Sequence, residues 1–135
     1  MKKFLIVILT ALSIFIISGC SNLNKDVNNI NEINKIIKIS AVQAKEEMKD
    51  SNTIVLDVRS QEEYNNGHIE NSILIPIDNL EDDAETKLIN KDQKILIYCR
   101  SGNRSEKAAD LLLQMGYTNI YDFGGINDWP YELVK

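Results

Sequence analysis

From residue 39 onward, short apolar runs alternate with segments in which apolar residues recur every three or four positions. The short, β-branched runs predict buried strands, at 53–58, 73–75, 94–98 and 119–121. The segments between them predict helices or helical turns, at 40–49, 61–65, 80–89 and 103–115. This alternation indicates an α/β fold in which helices flank both faces of a central, largely parallel β-sheet. The length fits a single domain, residues 39–135.

Two of the predicted helices carry terminal signals. Ser40 with Gln43 three residues later fits a capping box that opens the first helix. Gly116 follows the apolar face of the last helix and fits its C-cap.

The N-terminal segment has a different pattern. Lys2 and Lys3 precede a largely apolar run from Phe4 to Ile17. As a helix this run would span about 21 Å, which is short of the ~30 Å hydrocarbon core of a bilayer. The pattern therefore predicts an export signal over residues 1–19 rather than a membrane span.

The end of this signal, Ile17-Ser18-Gly19-Cys20, resembles the lipobox of bacterial lipoproteins. The resemblance implies a diacylglycerol thioether on Cys20, which becomes the lipid-anchored N-terminus on the outer side of the cytoplasmic membrane. The alternative is an ordinary secretory signal in which Cys20 has no role. Residues 20–38 are rich in asparagine and predict a solvated tether, with an N-terminal helix built on their isoleucines as the alternative.

The net charge of −5 and the lack of a basic run make nucleic acid an unsuitable partner. An acidic chain is also repelled by an anionic membrane surface, so the lipid must provide the attachment. We expect a monomer.

If Cys20 is lipidated, Cys99 has no partner among the two cysteines of the chain. It ends a predicted strand and is followed by a tight loop and a helix start, where free N–H groups and the helix dipole favour an anion. Arg100 and Arg104 add positive charge. Together these features predict a reactive thiolate with a lowered pKa. The alternative is a buried, inert cysteine.

The predicted binding loop runs from Cys99 through Arg100, Ser101, Gly102, Asn103, Arg104 and Ser105. Gly102 allows a tight turn with positive φ. We expect Arg100 to contact the substrate. Arg104 either does the same or turns inward to a buried carboxylate such as Asp57.

Three motifs together resemble the rhodanese domain over about the whole of residues 39–135. They are Leu56-Asp57-Val58-Arg59 with Glu62-Glu63-Tyr64, Gly67-His68-Ile69-Glu70-Asn71-Ser72 with Ile75-Pro76, and the Cys99–Ser105 loop with Gly124-Gly125-Ile126 and Trp129. Asn71-Ser72 departs from the Gly-Ala that is usual in the family, a change we expect to affect packing only.

The resemblance implies sulfur transfer by a Cys99 persulfide, from thiosulfate or a related donor to a thiol or cyanide, without metal or organic cofactor. Asp57 and Arg59 are expected to form a supporting ion pair. His68 is expected to hydrogen-bond backbone at a turn, with general acid catalysis as its alternative.

Several neighbouring side chains have simpler predicted roles. Glu62 and Glu63 are expected on a solvated face, and Trp129 is expected to fill the core. Arg104 follows Cys99 by five positions, one fewer than in tyrosine phosphatases, and this spacing disfavours phosphatase activity.

Two further hypotheses remain open at this point. One is a non-catalytic module that binds a partner or carries a persulfide. The other is a thiol-based redox sensor.

Overall fold

The structure is a computed structural model that describes residues 35–135. The predicted export signal, Cys20 and the predicted tether up to residue 34 lie outside the described residues. The strands are β1 (Ile37–Lys38), β2 (Ile54–Asp57), β3 (Ile73–Leu74), β4 (Ile95–Cys99) and β5 (Ile120–Gly125). The α-helices are α1 (Ala41–Glu47), α2 (Gln61–Asn66), α3 (Leu80–Lys87) and α4 (Asn103–Gln114), and Ile77–Asn79 and Ile126–Asp128 form 3₁₀ turns.

The five strands form one sheet in the order β1-β5-β4-β2-β3, and every neighbouring pair is parallel. β4 lies at the centre and all five of its residues are buried. Its side chains alternate between two apolar clusters, with Ile95, Ile97 and Cys99 in one and Leu96 and Tyr98 in the other. Because successive side chains of a strand point to opposite faces, the sheet has a core on each side. The predicted α/β fold is confirmed.

The helices divide between these two cores. Ala84 of α3 and Ala108 of α4 pack in the cluster that contains Cys99. Ala44 of α1 packs in the other cluster, together with Trp129. Trp129 is thus buried, in the position expected of a core residue.

The predicted capping box is present at the start of α1. The Ser40 hydroxyl accepts a hydrogen bond from the Gln43 N–H, and the Gln43 side chain accepts one from the Ser40 N–H. After the C-terminal end of α4, the longest of the helices described above, Gly116 has φ +91°. The N–H groups of Gly116 and Tyr117 bond the carbonyls of Leu113 and Leu112, a Schellman ending.

Most element boundaries agree with the sequence prediction within two residues, and two larger differences lie in the sheet. The sheet includes Ile37 and Lys38, which were placed in the tether, because they pair with Tyr121 and Asp122 of β5. β5 continues to Gly125 instead of ending at residue 121. Both differences arise at pairings between distant segments, which local hydrophobic pattern does not encode. Within residues 35–135, no helix is long and apolar enough to cross a membrane.

Candidate functional site

Cys99 is the last residue of β4 and is 1% exposed. The chain turns directly over its side chain, and the Gly102 N–H donates a hydrogen bond to the Cys99 Sγ at 3.1 Å. Gly102 has φ +104°, the left-handed conformation expected of it, and α4 begins at the next residue. The carboxyl end of the central strand and the start of a helix therefore meet at one sulfur atom.

The pKa of the Cys99 thiol reflects two opposing effects. Burial is the largest single effect and raises the pKa, whereas the backbone N–H groups of Ser105, Gly102 and Ser101 lower it. The amides prevail, so the pKa lies below the ordinary value of a thiol. The direction agrees with the sequence prediction, and so does the role of the loop N–H groups; the arginines, predicted to add to it, are not among the largest causes.

The loop rests against the backbone at the end of β5. A Cβ atom on Gly125 would lie 2.4 Å from the Arg100 carbonyl oxygen and 2.7 Å from the Ser101 Cα. The Arg100 oxygen also accepts a hydrogen bond from the Asn127 N–H at 3.2 Å. Only glycine permits this close approach, which gives Gly125 a role that the sequence motif alone did not reveal.

Arg104 does not pair with Asp57 and does not offer its fork to the loop. Its Nη1 and Nη2 atoms donate to the two carboxylate oxygens of Glu63 at 2.7 and 2.8 Å. The carboxylate pairing that the sequence offered as one alternative for Arg104 is therefore present, but its partner is Glu63 and not Asp57. The expectation that Glu63 lies on a solvated face is wrong, because its carboxylate is bound to Arg104 and its side chain is 27% exposed. Arg104 pulls the pKa of Glu63 down to about 2.

Glu63 also belongs to a second capping box, at the start of α2. Its carboxylate accepts the Ser60 N–H at 3.0 Å, and the Ser60 hydroxyl accepts the Glu63 N–H at 3.2 Å. The carboxylate therefore joins the first turn of α2 to the first turn of α4. The pattern Ser-x-x-Glu was visible in the sequence and is the signal that could have identified this residue.

The remaining loop side chains differ in exposure, and the buried Ser105 hydroxyl adds to the backbone N–H groups in lowering the pKa of Cys99. Arg100, Ser101 and Asn103 are exposed, and among the described residues the Arg100 guanidinium makes no hydrogen bond. Ser105 is buried, and its hydroxyl donates to the Gly102 carbonyl at 2.9 Å. Arg100 is thus the exposed guanidinium of the loop, and its contact with the substrate stays a prediction.

The expected ion pair between Asp57 and Arg59 is present and buried. The Arg59 Nη2 donates to Asp57 Oδ2 at 2.7 Å and to the Gly67 carbonyl at 2.8 Å. His68 follows directly, with its ring stacked on Tyr64 at 3.7 Å and its Nδ1 donating to the Tyr64 carbonyl at 3.0 Å. Arg59 and His68 therefore both hold the chain that follows β2. His68 forms a hydrogen bond with a backbone carbonyl at a turn, as expected.

Tyr98, which precedes Cys99, was missed by sequence reasoning. Its hydroxyl accepts the Ile69 N–H at 3.1 Å and lies 3.3 Å from the Ser72 hydroxyl. Burial, followed by the charge of Asp57, raises the pKa of Tyr98, so the phenol stays protonated. Asn71 and Ser72, which stand where Gly-Ala is usual, both lie beside this network. Asn71 adopts φ +62°, and the Ser72 hydroxyl contacts the Tyr98 hydroxyl.

The sequence model of the family described as "Rhodanese-like domain" matches residues 40–131. The chain is 32% identical over 80 residues to the thiosulfate sulfurtransferase PspE of Escherichia coli, covering 59% of this chain and 77% of that protein. It is 36% identical over 94 residues to the tRNA uridine(34) hydroxylase of Photorhabdus laumondii, covering 66% of this chain but 27% of that protein.

Solved structures give the same result. The crystal structure of a rhodanese-related protein from Thermoplasma volcanium is similar with a TM-score of 0.63 and 37% sequence identity. The similarity covers 73% of this chain and 97% of that one.

Proposed function

This chain belongs to the rhodanese-like domain family, and on that premise we propose that it is a sulfurtransferase that carries sulfane sulfur as a persulfide on Cys99. The observation that carries the proposal is the hydrogen bond from the Gly102 N–H to the Cys99 Sγ, at the centre of a loop whose amides favour the thiolate. A thiolate is the nucleophilic form of cysteine, and a persulfide anion needs the same donors.

In the first step, the Cys99 thiolate attacks the outer sulfur of thiosulfate. A sulfur–sulfur bond forms at Cys99, the sulfur–sulfur bond of thiosulfate breaks, and sulfite leaves with the bonding electron pair. The Arg100 guanidinium, exposed beside the loop, can form hydrogen bonds with the sulfonate oxygens of the donor. The loop N–H groups lower the pKa of the Cys99 thiol and so favour the thiolate without a separate general base.

In the second step, a thiolate or cyanide attacks the outer sulfur of the persulfide. The new bond takes the sulfur away, and the Cys99 thiolate is the leaving group. The lowered pKa of Cys99 favours this departure, since a weaker base leaves faster.

Phosphatase chemistry is not supported. Arg104 is bound through both terminal nitrogens to Glu63 and does not face the loop as a phosphate ligand. The Gly102 N–H donates to the Cys99 Sγ at 3.1 Å, so this donor of the loop is directed at the sulfur.

The two relatives suggest different activities, and the share of each relative that the chain covers supports one of them. The chain spans 77% of the E. coli sulfurtransferase but about a quarter of the hydroxylase. An activity that requires the remainder of the hydroxylase has no support in the matched part. We therefore base the proposal on the sulfurtransferase.

The test is sulfur uptake read by intact mass. Incubation of the reduced protein with thiosulfate, followed by desalting, should add the mass of one sulfur atom. The Cys99→Ser variant is the control and should gain nothing. Absence of uptake by the wild type from every sulfane donor in a panel would exclude the proposal.

The same experiment separates an enzyme from a persulfide carrier. An enzyme should turn over repeatedly when thiosulfate and cyanide are both supplied, and thiocyanate should accumulate well beyond the protein concentration. A carrier should load once and release sulfur only slowly.

The proposed site of action is outside the cytoplasm, with the chain held at the membrane by lipid on Cys20. The support is the sequence Ile17-Ser18-Gly19-Cys20 after an apolar run. In the native host, the wild type should enter the membrane fraction and carry acyl mass, whereas Cys20→Ala should lose both properties. Recovery of wild-type protein in the soluble fraction with its initial methionine intact would contradict this placement.

A further inference from the structure

A cavity of about 400 Å³ opens at the amino edge of the sheet, away from the sulfur loop. The residues around it come from α1, from the turn between α1 and β2, and from the segment that precedes β3. Val55 and Ile69 form the buried part of its lining. Both belong to the apolar cluster on the opposite face of the sheet from Cys99. A molecule bound in this cavity would therefore not be a reactant at the sulfur atom.

The lining contains a buried hydroxyl without a partner. Thr53 stands just before β2, and its Oγ1 atom is buried and forms no hydrogen bond within residues 35–135. In that range, Trp129 Nε1 is the one other buried side-chain nitrogen or oxygen in this situation. Because a buried hydroxyl without a partner destabilises a fold, it calls for a specific explanation. A ligand that supplies the missing hydrogen bond is such an explanation.

Three charged side chains on the rim lack an ionic partner in the described part of the chain. Asp50 and Glu70 are exposed and form no ion pair. The Lys45 ammonium group lies 5.9 Å from the ring centre of Trp129 and 5.6 Å from that of Tyr131. These aromatic faces hold the ammonium group in place but leave its N–H donors free for an anion. The rim therefore presents two anions and one cation.

The size and the apolar part of the lining limit the ligand further. The volume lies within the range of sites that bind whole small molecules. Met48, Val55 and Ile69 offer a surface on which an aliphatic chain can lie. The complement of the cavity is therefore a small aliphatic molecule with two positive groups and one negative group.

We infer that this cavity binds a free basic amino acid such as lysine. The two ammonium groups of lysine meet Asp50 and Glu70, and its carboxylate meets Lys45. One ammonium group also donates to Thr53 Oγ1, and the methylene chain lies along the apolar lining. The inference is independent of the sulfur chemistry at Cys99.

The test is isothermal titration calorimetry of wild-type protein with lysine, at an ionic strength of about 0.15 M so that distant charges are screened. Binding should saturate at one lysine per chain, with a dissociation constant below about 1 mM. Cadaverine is lysine without its carboxylate, and norleucine is lysine without its side-chain ammonium group. Each should bind at least about fivefold more weakly, because each loses one charge contact.

The charge variants assign each contact. Lys45→Ala should weaken lysine binding about fivefold and leave cadaverine binding unchanged, because cadaverine has no carboxylate to lose. Glu70→Gln should weaken the binding of both ligands. Glu81→Gln is the matched control, because it removes an equal exposed charge from α3, on the other face of the sheet, and it should behave as wild type.

Thr53→Val tests the buried hydroxyl by a change that nearly keeps the shape of the side chain. It should weaken lysine binding about fivefold, as expected for one lost hydrogen bond. It should also raise the melting temperature of the ligand-free protein, because it removes a buried hydroxyl that has no partner. Unchanged lysine affinity together with a lower melting temperature would overturn the role given to this atom.

Absence of lysine binding to the wild type would overturn the inference outright, and so would equal affinities for lysine and cadaverine. Equal losses in Glu81→Gln and Glu70→Gln would overturn it too, since they would indicate a general attraction of cations to an acidic protein. None of these results depends on sulfur loading at Cys99. The proposed function is therefore tested separately.

Discussion

The carboxylate of Glu63 allows a quantitative test of how the sulfur loop is held. Glu63→Gln removes the negative charge while keeping the size of the side chain and an oxygen that can still accept the Ser60 N–H. The bidentate pair with Arg104 then becomes a contact with a neutral amide. The variant therefore isolates the charge that joins α2 to α4.

The magnitude follows from the pKa of Glu63, which lies at about 2 rather than 4.5. Taken alone, a depression of this size corresponds to about 3 kcal/mol. The side chains of Glu63 and Arg104 remain 27% and 34% exposed, however, so solvent screens part of the interaction. We expect Glu63→Gln to lower the free energy of unfolding at pH 7 by about 1–2 kcal/mol, and the melting temperature by about 5–10 °C.

The pH dependence gives the result its specificity. Because the pKa of Glu63 is depressed in the folded state, its stabilisation is fully present above pH 4.5 and is lost as the pH falls toward 2. Roughly half should be gone by pH 3. Urea unfolding of wild type and Glu63→Gln at pH 7 and pH 3 should therefore show a smaller difference in free energy at the lower pH.

The neighbouring Glu62→Gln variant is the matched control, because Glu62 is exposed and forms no ion pair among the described residues. It should change stability by less than about 0.5 kcal/mol. Equal losses for the Glu62 and Glu63 variants, or a Glu63 difference that does not shrink at pH 3, would refute the argument.

Three further predictions concern the loop and its support. Gly125→Ala should abolish sulfur loading measured by intact mass, because the added Cβ would overlap the loop backbone. Gly116→Ala is the control: it is strained but meets no backbone atom within 4 Å, so it should lose stability and still load sulfur. Normal loading by Gly125→Ala would contradict the described packing. Alkylation of Cys99 by iodoacetamide should follow a titration whose midpoint lies below that of an ordinary cysteine, and a midpoint at or above the ordinary value would contradict the role of the amides. Tyr98→Phe should destabilise the domain by about 1–3 kcal/mol in urea unfolding, since it leaves the buried Ile69 N–H without a partner. Tyr131→Phe, at an exposed position, should have little effect. Equal effects of the two variants would show that the buried hydroxyl contributes nothing.

Much of the fold could be predicted from local pattern. β4 was identified because a strand buried on both faces is continuously apolar, and α1 because Ser40 and Gln43 form a capping box that the structure contains. The edge strand β1 could not be identified, because two residues have no periodicity and are defined by their pairing with β5.

The candidate site shows the same division between local and distant information. Cys99, its loop and Gly102 are contiguous, so sequence alone located them. The partner of Arg104 lies 41 positions away at Glu63, and only the packing of α2 beside α4 brings them together. The close contact of Gly125 with the loop depends in the same way on the pairing of β5 with β4.

The donors that favour the Cys99 thiolate are main-chain N–H groups, at Ser101, Gly102 and Ser105. Every amino acid except proline supplies such a group, so evolution can replace the exposed side chains at Ser101 and Asn103 without altering the acidity of the sulfur. Substrate preference can therefore drift among descendants of this chain while the reactive group is inherited unchanged.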